Sequence, residues 1–506
     1  MATPIPTNQC EFTLAEVVEA TGGTFVLAGS TLSFADGVLG KSPPVDLAIG
    51  SAYRAGAGSA GNVRGVSIDT RSLEAGALFV ALPGASDGHN YLPQAASRGA
   101  AAAVVARGRT HRALDCIEVD DTLAALGRLA HRHLMRTRAA RALPVIAIGG
   151  AVGKTTTKEL TAAVVRAIFG STLSTPGNLN NLIGVPMTTF TLASEHRAAV
   201  LECGTNTRGE IPQLAGIVEP DVAMVLNVDL EHSEGLGTLH EIADEEAALF
   251  STARSYAVAS ADEPMVLARI PKLLRRIMFG KSPDAHVRLA TRTVGARSRI
   301  RIEFARELVA AGVAPILEIE IALLGEAAAL NCTAAIAGVA AMRDAPLDAR
   351  ELGAIGAALA SVQPVAGRLA TVSIGGIYLI DDTYNSNPRS IRAALAAARE
   401  VADGLGARLV IAMGDMLELG NESTAAHQQA IRDVIGSRPA AFVAVGPEMN
   451  SALVAVSAEL DAADTLTTPD SIAAANLVAG LVQPGDVLLV KGSRGIAMER
   501  IIERLG

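Results

Sequence analysis

The chain has 506 residues, more than one hydrophobic core supports, so two to four domains are expected. Half of it is apolar, but aromatics make up 3% and Trp is absent, so the cores must be built from Ala, Val, Leu and Ile. With 43 basic against 52 acidic residues the net charge is −9, which argues against the broad basic face of a nucleic-acid binder, and the high apolar content argues against disorder. Cys10, Cys116, Cys203 and Cys332 lie far apart with no CxxC pair, a pattern that fits neither a disulfide framework nor a zinc site and suits a reducing cytosol. The N-terminus lacks the basic and apolar regions of a signal peptide. The most apolar stretch, Ala327 to Met342, carries Asn331 and Thr333 and falls short of the roughly 20 residues of a membrane span. A soluble, intracellular, multi-domain protein is expected.

In chain order, the pattern predicts a helix over Leu14–Ala20 stopped by Gly22-Gly23, then a poorly patterned insertion or mobile loop over 24–62. Strand Ala77–Leu82, helix Leu92–Arg98, strand Ala102–Val105 and helix Leu123–Leu134 alternate as in an α/β unit. A second block opens at Pro144 with strand Val145–Ile148, a Gly-rich turn and helix Lys158–Ile168. The runs Ala198–Leu201 and Val222–Val228 are continuously apolar, as buried parallel strands are. A third block begins near Pro364, with strand Ile377–Ile380, helix Ser390–Val401, and strands Arg408–Met413, Ala441–Val445 and Val487–Val490. The expected architecture is three α/β domains: 1–143, 144–362 and 363–506.

The most pointed motif is Gly150-Ala151-Val152-Gly153-Lys154-Thr155-Thr156, set between an apolar strand and a helix. Consecutive backbone N–H groups and a helix N-terminus make a cradle for phosphates. Lys154 would reach the β- and γ-phosphates and the Thr155 hydroxyl would ligate Mg²⁺. Only six of the 43 basic residues are Lys, which sharpens the choice of Lys154. The full Walker spacing wants Gly where Ile148 stands, so an ordinary strand-to-helix turn is the alternative. Further along, Thr175-Pro-Gly-Asn178-Leu-Asn180-Asn181 carries more amide donors than a turn needs. Glu202 and His232 follow buried strands, where open α/β sheets place their sites, and are candidate metal ligands. Asp381-Asp382-Thr-Tyr384-Asn385-Ser-Asn387-Pro388, Gly414-Asp415-Met-Leu-Glu418-Leu-Gly420 and Lys491-Gly-Ser-Arg494-Gly495 occupy comparable strand ends. Paired acids there could hold a ribose or a cation, or make an Asx-type turn and helix cap.

Taken together, in this order, these runs resemble the Mur ligase family, specifically its D-alanyl-D-alanine-adding branch, from Ser67 onward. The resemblance implies a three-domain fold: a uridine-nucleotide-binding N-terminal domain, a central P-loop ATPase domain and a Rossmann-like C-terminal domain. The implied reaction joins D-alanyl-D-alanine to UDP-N-acetylmuramoyl-tripeptide with ATP and Mg²⁺, through an acyl phosphate. By resemblance, Lys154, Glu202, His232 and Glu246 are catalytic, and Thr155, Glu202 and His232 hold the metal. ATP would be held by the 150–156 loop with Asn331, Arg368 and Asp382, the last two supplied by a closing C-terminal domain. Ser67, Asp69, Thr70, Arg71, Asn180, Asn181 and Arg208 would bind the UDP precursor. Tyr384, Asn385, Asn387 and Asp415 would bind D-alanyl-D-alanine. The implied partners are these small molecules alone, and the implied protein is a cytoplasmic monomer without nucleic acid or membrane span.

The chain departs from the family pattern in three places. Where the family carries a carbamylated Lys about fourteen residues after the His, this chain has Glu246, a carboxylate able to supply the same charge without CO₂. Ala327-Ala328 replaces a His-Asn pair near Asn331, and Ala151-Val152 replaces small polar residues in the phosphate loop. The competing readings are a diaminopimelate- or lysine-adding member, for which Asn387-Pro388-Arg389 lies too early, and a catalytically impaired nucleotide-binding relative. A generic P-loop motor or transporter ATPase is disfavoured by the missing apolar strand ending in Asp.

Overall fold

In the computed structural model, residues 3–29, 61–84, 86–294, 297–457 and 464–506 are described. They form two compact units. The first comprises Met1–Val145, Ser171–Cys203 and Gln213–Glu219; the second comprises Ile146–Gly170, Gly204–Pro212 and Pro220–Gly506.

The first unit is built on a five-stranded sheet in the order Thr24–Val26, Cys116–Val119, Ala102–Ala106, Leu78–Val80, Val66–Ser67. The first pair is antiparallel and the others are parallel. Helix Leu14–Thr21 starts at a capping box, with Thr13 accepting from the Glu16 N–H, and ends at Gly22 with φ 65°. Two pieces of the expected 24–62 loop are strands: Thr24–Val26, and Asn62–Arg64, which pairs antiparallel with Glu11–Thr13. The apolar β-formers of Thr-Phe-Val were masked by the Gly-rich stretch after them. Residues 30–60 of that expectation lie outside the described residues. Phe12, His133 and Phe190 cluster with ring centroids 6.1–6.3 Å apart. A short parallel pair, Thr172–Ser174 with Ala198–Glu202, belongs to the same unit.

The second unit carries two sheets. One runs in the order Ile316–Ile321, Ser298–Phe304, Val287–Thr293, Arg275–Gly280, Tyr256–Ser260, Val222–Val225, Val145–Gly149. Its last five strands are parallel and its first three antiparallel. Helix Gly325–Arg343 packs on this sheet and on the phosphate-loop helix, Lys154–Phe169. It is long and apolar enough to cross a membrane, yet 78% of its apolar window is buried inside the protein, as a core helix is. The phosphate-loop helix starts four residues earlier than expected, because three β-branched Thr in a row disguise a first turn that the loop itself nucleates. The strand expected to reach Val228 stops at Val225, where the chain turns to grip the phosphate loop.

The other sheet runs Ala370–Ile374, Ile377–Asp382, Val487–Lys491, Leu409–Gly414, Ala441–Val445, Asp464–Thr468, with only the first strand antiparallel. Its two faces are covered by separate apolar clusters, one around Ile391, Leu395 and Ile431, the other around Val478, Met498 and Ile501. Because Val487–Lys491 is inserted between Ile377–Asp382 and Leu409–Gly414, the carboxyl ends of three neighbouring strands open on one edge. All four cysteines are buried and none forms a disulfide.

Candidate nucleotide and substrate site

The strand Val145–Gly149 and the helix beginning at Lys154 leave only four residues to turn the chain, and glycine makes the turn possible. Gly150 has φ 116°, and a Cβ there would stand 2.9 Å from the Leu226 nitrogen and 3.1 Å from that of Asn227. Gly153 has φ 92°, and its missing Cβ leaves room for Asn331, whose Oδ1 would lie 3.0 Å away. Gly150→Ala is therefore expected to weaken ATP binding at least about tenfold and to cost about 1–3 kcal/mol of stability, read by isothermal titration and denaturant unfolding. Unchanged ATP affinity would show that the loop does not need this turn.

Three loop amides are already engaged. The Gly150 N–H donates to Glu246 Oε2 at 2.6 Å, the Ala151 N–H to the Asn227 carbonyl at 3.0 Å, and the Val152 N–H to Asn227 Oδ1 at 2.8 Å. Asn227 Nδ2 donates back to the Val152 carbonyl at 2.8 Å. Glu246 is 1% exposed, and its Oε1 has no hydrogen-bond partner among the described residues. Burial pushes this carboxyl up to about 7, against the pull of the Lys154 ammonium.

Lys154 Nζ donates to the Gly150 carbonyl at 2.6 Å, the Ala151 carbonyl at 3.2 Å and Glu231 Oε1 at 3.2 Å. Asn387 Nδ2 reaches the other Glu231 oxygen at 3.4 Å, while its Oδ1 caps helix Pro388–Leu405 through the Ser390 N–H. Glu231 thus links the phosphate-loop Lys to the loop after the second sheet's strand, a role no local motif announces. His232 stands beside it with φ 49°, its Nδ1 paired with Glu418.

At the carboxyl edge of the second sheet, Lys491 is 1% exposed and donates to Asp382 Oδ2 at 2.6 Å and the Asn385 carbonyl at 2.9 Å. Asp382 Oδ1 accepts from the Leu369 N–H, and Asp381 Oδ2 from the Gly367 N–H, so the Arg368 segment is laced to the acidic pair. Arg368 stacks over the Tyr384 ring at 4.0 Å, a cation–π contact. Asp415 is 2% exposed; its oxygens accept from the Met449 and Glu448 N–H groups and begin the helix Pro447–Ala455. Arg208 pairs with Glu241 at 2.6 Å on an exposed face.

In the first unit, Asp69 is held by a two-toothed Arg71 pair (3.0 and 2.6 Å), which keeps its carboxyl below the usual range. Ser67 Oγ donates to the Asp69 carbonyl at 3.0 Å and Thr70 Oγ1 to Gln94 at 2.7 Å. Ser67 and Asp69 line an open depression of about 370 Å³, together with Ile5, Asn8, Ile68 and Met187. Asn180 Nδ2 donates to Glu202 Oε1 at 2.8 Å, and the Glu202 N–H to Thr175 Oγ1 at 2.9 Å, so this loop orients the strand-end carboxylate. Asn181 Oδ1 is taken locally by the Gly184 N–H at 2.8 Å. Glu202 belongs to the first unit, Thr155 and His232 to the second. Among the described residues no three His, Cys, Asp or Glu side chains converge as a metal cluster.

The geometry of the 150–156 turn, with Lys154 at its mouth, defines a P-loop protein of the parallel α/β class. Three family models match in chain order: "Mur ligase family, catalytic domain" over 62–134, "Mur ligase middle domain" over 148–339, and "Mur ligase, glutamate ligase domain" over 367–494. The chain is 34% identical over 446 residues to the UDP-N-acetylmuramoyl-tripeptide–D-alanyl-D-alanine ligase of Escherichia coli, covering 87% of this chain and 93% of that one. It is 31% identical to the Treponema pallidum ligase of the same name, over 86% and 92%. A crystal structure of MurF from Acinetobacter baumannii superposes with a TM-score of 0.81 at 27% identity, covering 98% of this chain and 99% of that one. The chain belongs to the Mur ligase family and has its three-domain architecture.

Proposed function

We propose that this protein is the ATP-dependent ligase that adds D-alanyl-D-alanine to UDP-N-acetylmuramoyl-tripeptide in peptidoglycan precursor synthesis, acting in the cytoplasm as a monomer. The observation that carries the reading is the Lys154–Glu231–Asn387 chain, which ties the phosphate loop to the second sheet's carboxyl edge. Full-length similarity to ligases of that name supports it.

In this reading 1–143 binds the uridine precursor through Ser67, Asp69, Thr70 and Arg71, with Asn180, Asn181 and Arg208 completing its site. Region 144–362 binds ATP, and 363–506 supplies Arg368 and Asp382 to the nucleotide and Tyr384, Asn385 and Asn387 to the dipeptide. Asp415 contributes by holding the loop, since its carboxylate is spent on a helix cap. With the Gly150, Ala151 and Val152 amides engaged inside the protein, the phosphates fall to Lys154 and the first helical turn from Gly153 to Thr156, over which Asn331 stands.

The precursor's terminal carboxylate attacks the γ-phosphorus, the bond to ADP breaks, and an acyl phosphate forms. The dipeptide amine then attacks the acyl carbon, and phosphate departs from the tetrahedral intermediate with loss of the amine proton. Two anions must meet in the first step, so the protein's task is to position them and neutralise their charge. Lys154 performs much of this by leaving Glu231 and the loop carbonyls for the γ-phosphate. Thr155, Glu202 and His232 would hold Mg²⁺. A hydroxyl, a carboxylate and an imidazole are few protein donors, a set that suits a hydrated ion bound mainly by phosphate oxygens. Such an ion supplies charge neutralisation at the transferring phosphoryl group.

Phosphate release from ATP should require UDP-N-acetylmuramoyl-tripeptide and D-alanyl-D-alanine together, with pentapeptide formed in step. Release with either substrate omitted, or nucleotide binding without any release, would defeat the proposal.

A further inference from the structure

The Gly414–Gly420 motif has no task in the reaction above beyond the cap made by Asp415, yet it is held from several sides. The Met416 N–H donates to His427 Nε2 at 2.9 Å, and the Leu417 N–H to Ser493 Oγ at 2.9 Å. His427 is fully buried, and its Nδ1 lies 2.7 Å from the Ser423 carbonyl oxygen, so both ring nitrogens are spent on holding this segment. The tip of the motif rests on the short helix Ser233–Leu236. Ser233 Oγ donates to the Leu419 carbonyl at 2.9 Å, and the Glu234 N–H to the Glu418 carbonyl at 3.4 Å.

Where the segments meet, two non-glycine residues adopt the left-handed conformation, His232 at φ 49° and Glu418 at φ 64°. L-residues pay a steric penalty there, and such residues persist only where their surroundings impose them. The two side chains contact each other: Glu418 Oε2 pairs with His232 Nδ1. A carboxylate accepting at Nδ1 fixes the proton on that nitrogen and turns Nε2 outward as the lone-pair donor, the arrangement that orients imidazole ligands in metal sites.

We propose that Glu418 is a positioning residue for His232: it sets the imidazole tautomer and ring orientation, so that His232 presents Nε2 to the nucleotide–cation site only when the Gly414–Gly420 loop is docked on Ser233–Leu236. This rests on the ligase reading for its chemical consequence, but the contact itself is testable without turnover. An exposed ion pair would contribute little stability, and Glu418 is 57% exposed at its side chain. A purely structural role therefore predicts almost no effect of removing it.

Glu418→Gly separates the two possibilities, because glycine accepts φ 64° without penalty while the carboxylate is lost. In full-length protein labelled with ¹⁵N-histidine, the parent is expected to show His232 with its proton on Nδ1, assigned by its absence in His232→Gln. Glu418→Gly is expected to show a mixture of tautomers, a thermal midpoint no lower than the parent's, Mn²⁺ binding in the presence of ADP weakened about 10- to 100-fold, and kcat lowered by a similar factor at unchanged KM for ATP. Glu418→Gln, which keeps an acceptor oxygen, should recover the tautomer and come within a few-fold of parental Mn²⁺ affinity. A parental tautomer in Glu418→Gly overturns the proposal, and so does an altered tautomer with unchanged Mn²⁺ affinity. If no variant or parent turns over, the ligase reading fails while the tautomer and Mn²⁺ measurements still decide the role of Glu418.

Discussion

Replacing Lys154 by Met is expected to lower phosphate release by roughly 100- to 1,000-fold or more, the cost of removing a preorganised donor from a developing anionic centre. The variant also leaves the Glu231 carboxylate, 7% exposed at its side chain, without its cation. Breaking a buried pair from one side is destabilising by about 3–5 kcal/mol, so lost activity alone would be ambiguous. The double variant Lys154→Met/Glu231→Gln resolves this. It removes the stranded charge and keeps an amide that can still bond Asn387, so stability should largely return while turnover does not. Recovery of turnover in the double variant would show that Lys154 serves the fold rather than the phosphate.

The second large effect concerns Glu246, whose behaviour should depend on pH. Its folded pKa of about 7 lies above the ordinary 4.5 because burial disfavours the charged form. The folded protein therefore holds this proton more tightly than the unfolded chain. The resulting stability is fully present below about pH 4.5 and is lost as pH rises through 7, up to about 3 kcal/mol at 1.36 kcal/mol per unit. Glu246→Gln cannot ionise, so its stability relative to the parent should climb between pH 5 and pH 8, and denaturant midpoints at the two pH values measure this directly. A pH-independent difference would mean that Glu246 is ionised throughout. For activity, Glu246→Ala removes the anchor of the Gly150 amide and should cost about 10- to 100-fold in kcat. Added bicarbonate should change nothing, because the carboxylate already present needs no CO₂.

The parts of the fold legible in the sequence were those with local causes. Val145–Ile148, Ala198–Leu201 and Val487–Val490 are continuous apolar runs because parallel strands are covered on both faces. The antiparallel strands Ser298–Phe304 and Ile316–Ile321 were missed, although the first alternates throughout and the second from Leu317 onward. Their outward residues form cross-strand pairs, Arg299 with Glu320 and Arg301 with Glu318, so the polar half of each strand reads as loop charge until the partner is known.

The same contrast runs through the site. The phosphate loop is spelled out within a few residues, because one turn must bring strand, glycines, Lys and helix together. Glu231 is an unremarkable acid in sequence, and its meaning depends on Lys154 and Asn387, which stand 77 and 156 positions away. The left-handed backbone of His232 and Glu418 has no signature in residue type at all, since glycine is the residue that announces it. Glu246 was noticed only through the family resemblance, because nothing nearby marks it as the acceptor for Gly150.

The burial of all four thiols has a practical consequence. Cys116 is raised by burial, and Cys10 and Cys332 are pushed up to about 12, so these three present almost no thiolate at neutral pH. The folded chain is thus nearly silent toward maleimides, and unfolding opens reactive sulfurs: Cys10, Cys116 and Cys203 report on the first unit and Cys332 on the second. A single cysteine placed at Leu273, which is 99% exposed, would take a dye selectively in the native protein. The chain comes ready for site-specific fluorescence labelling, with no native cysteine to remove first.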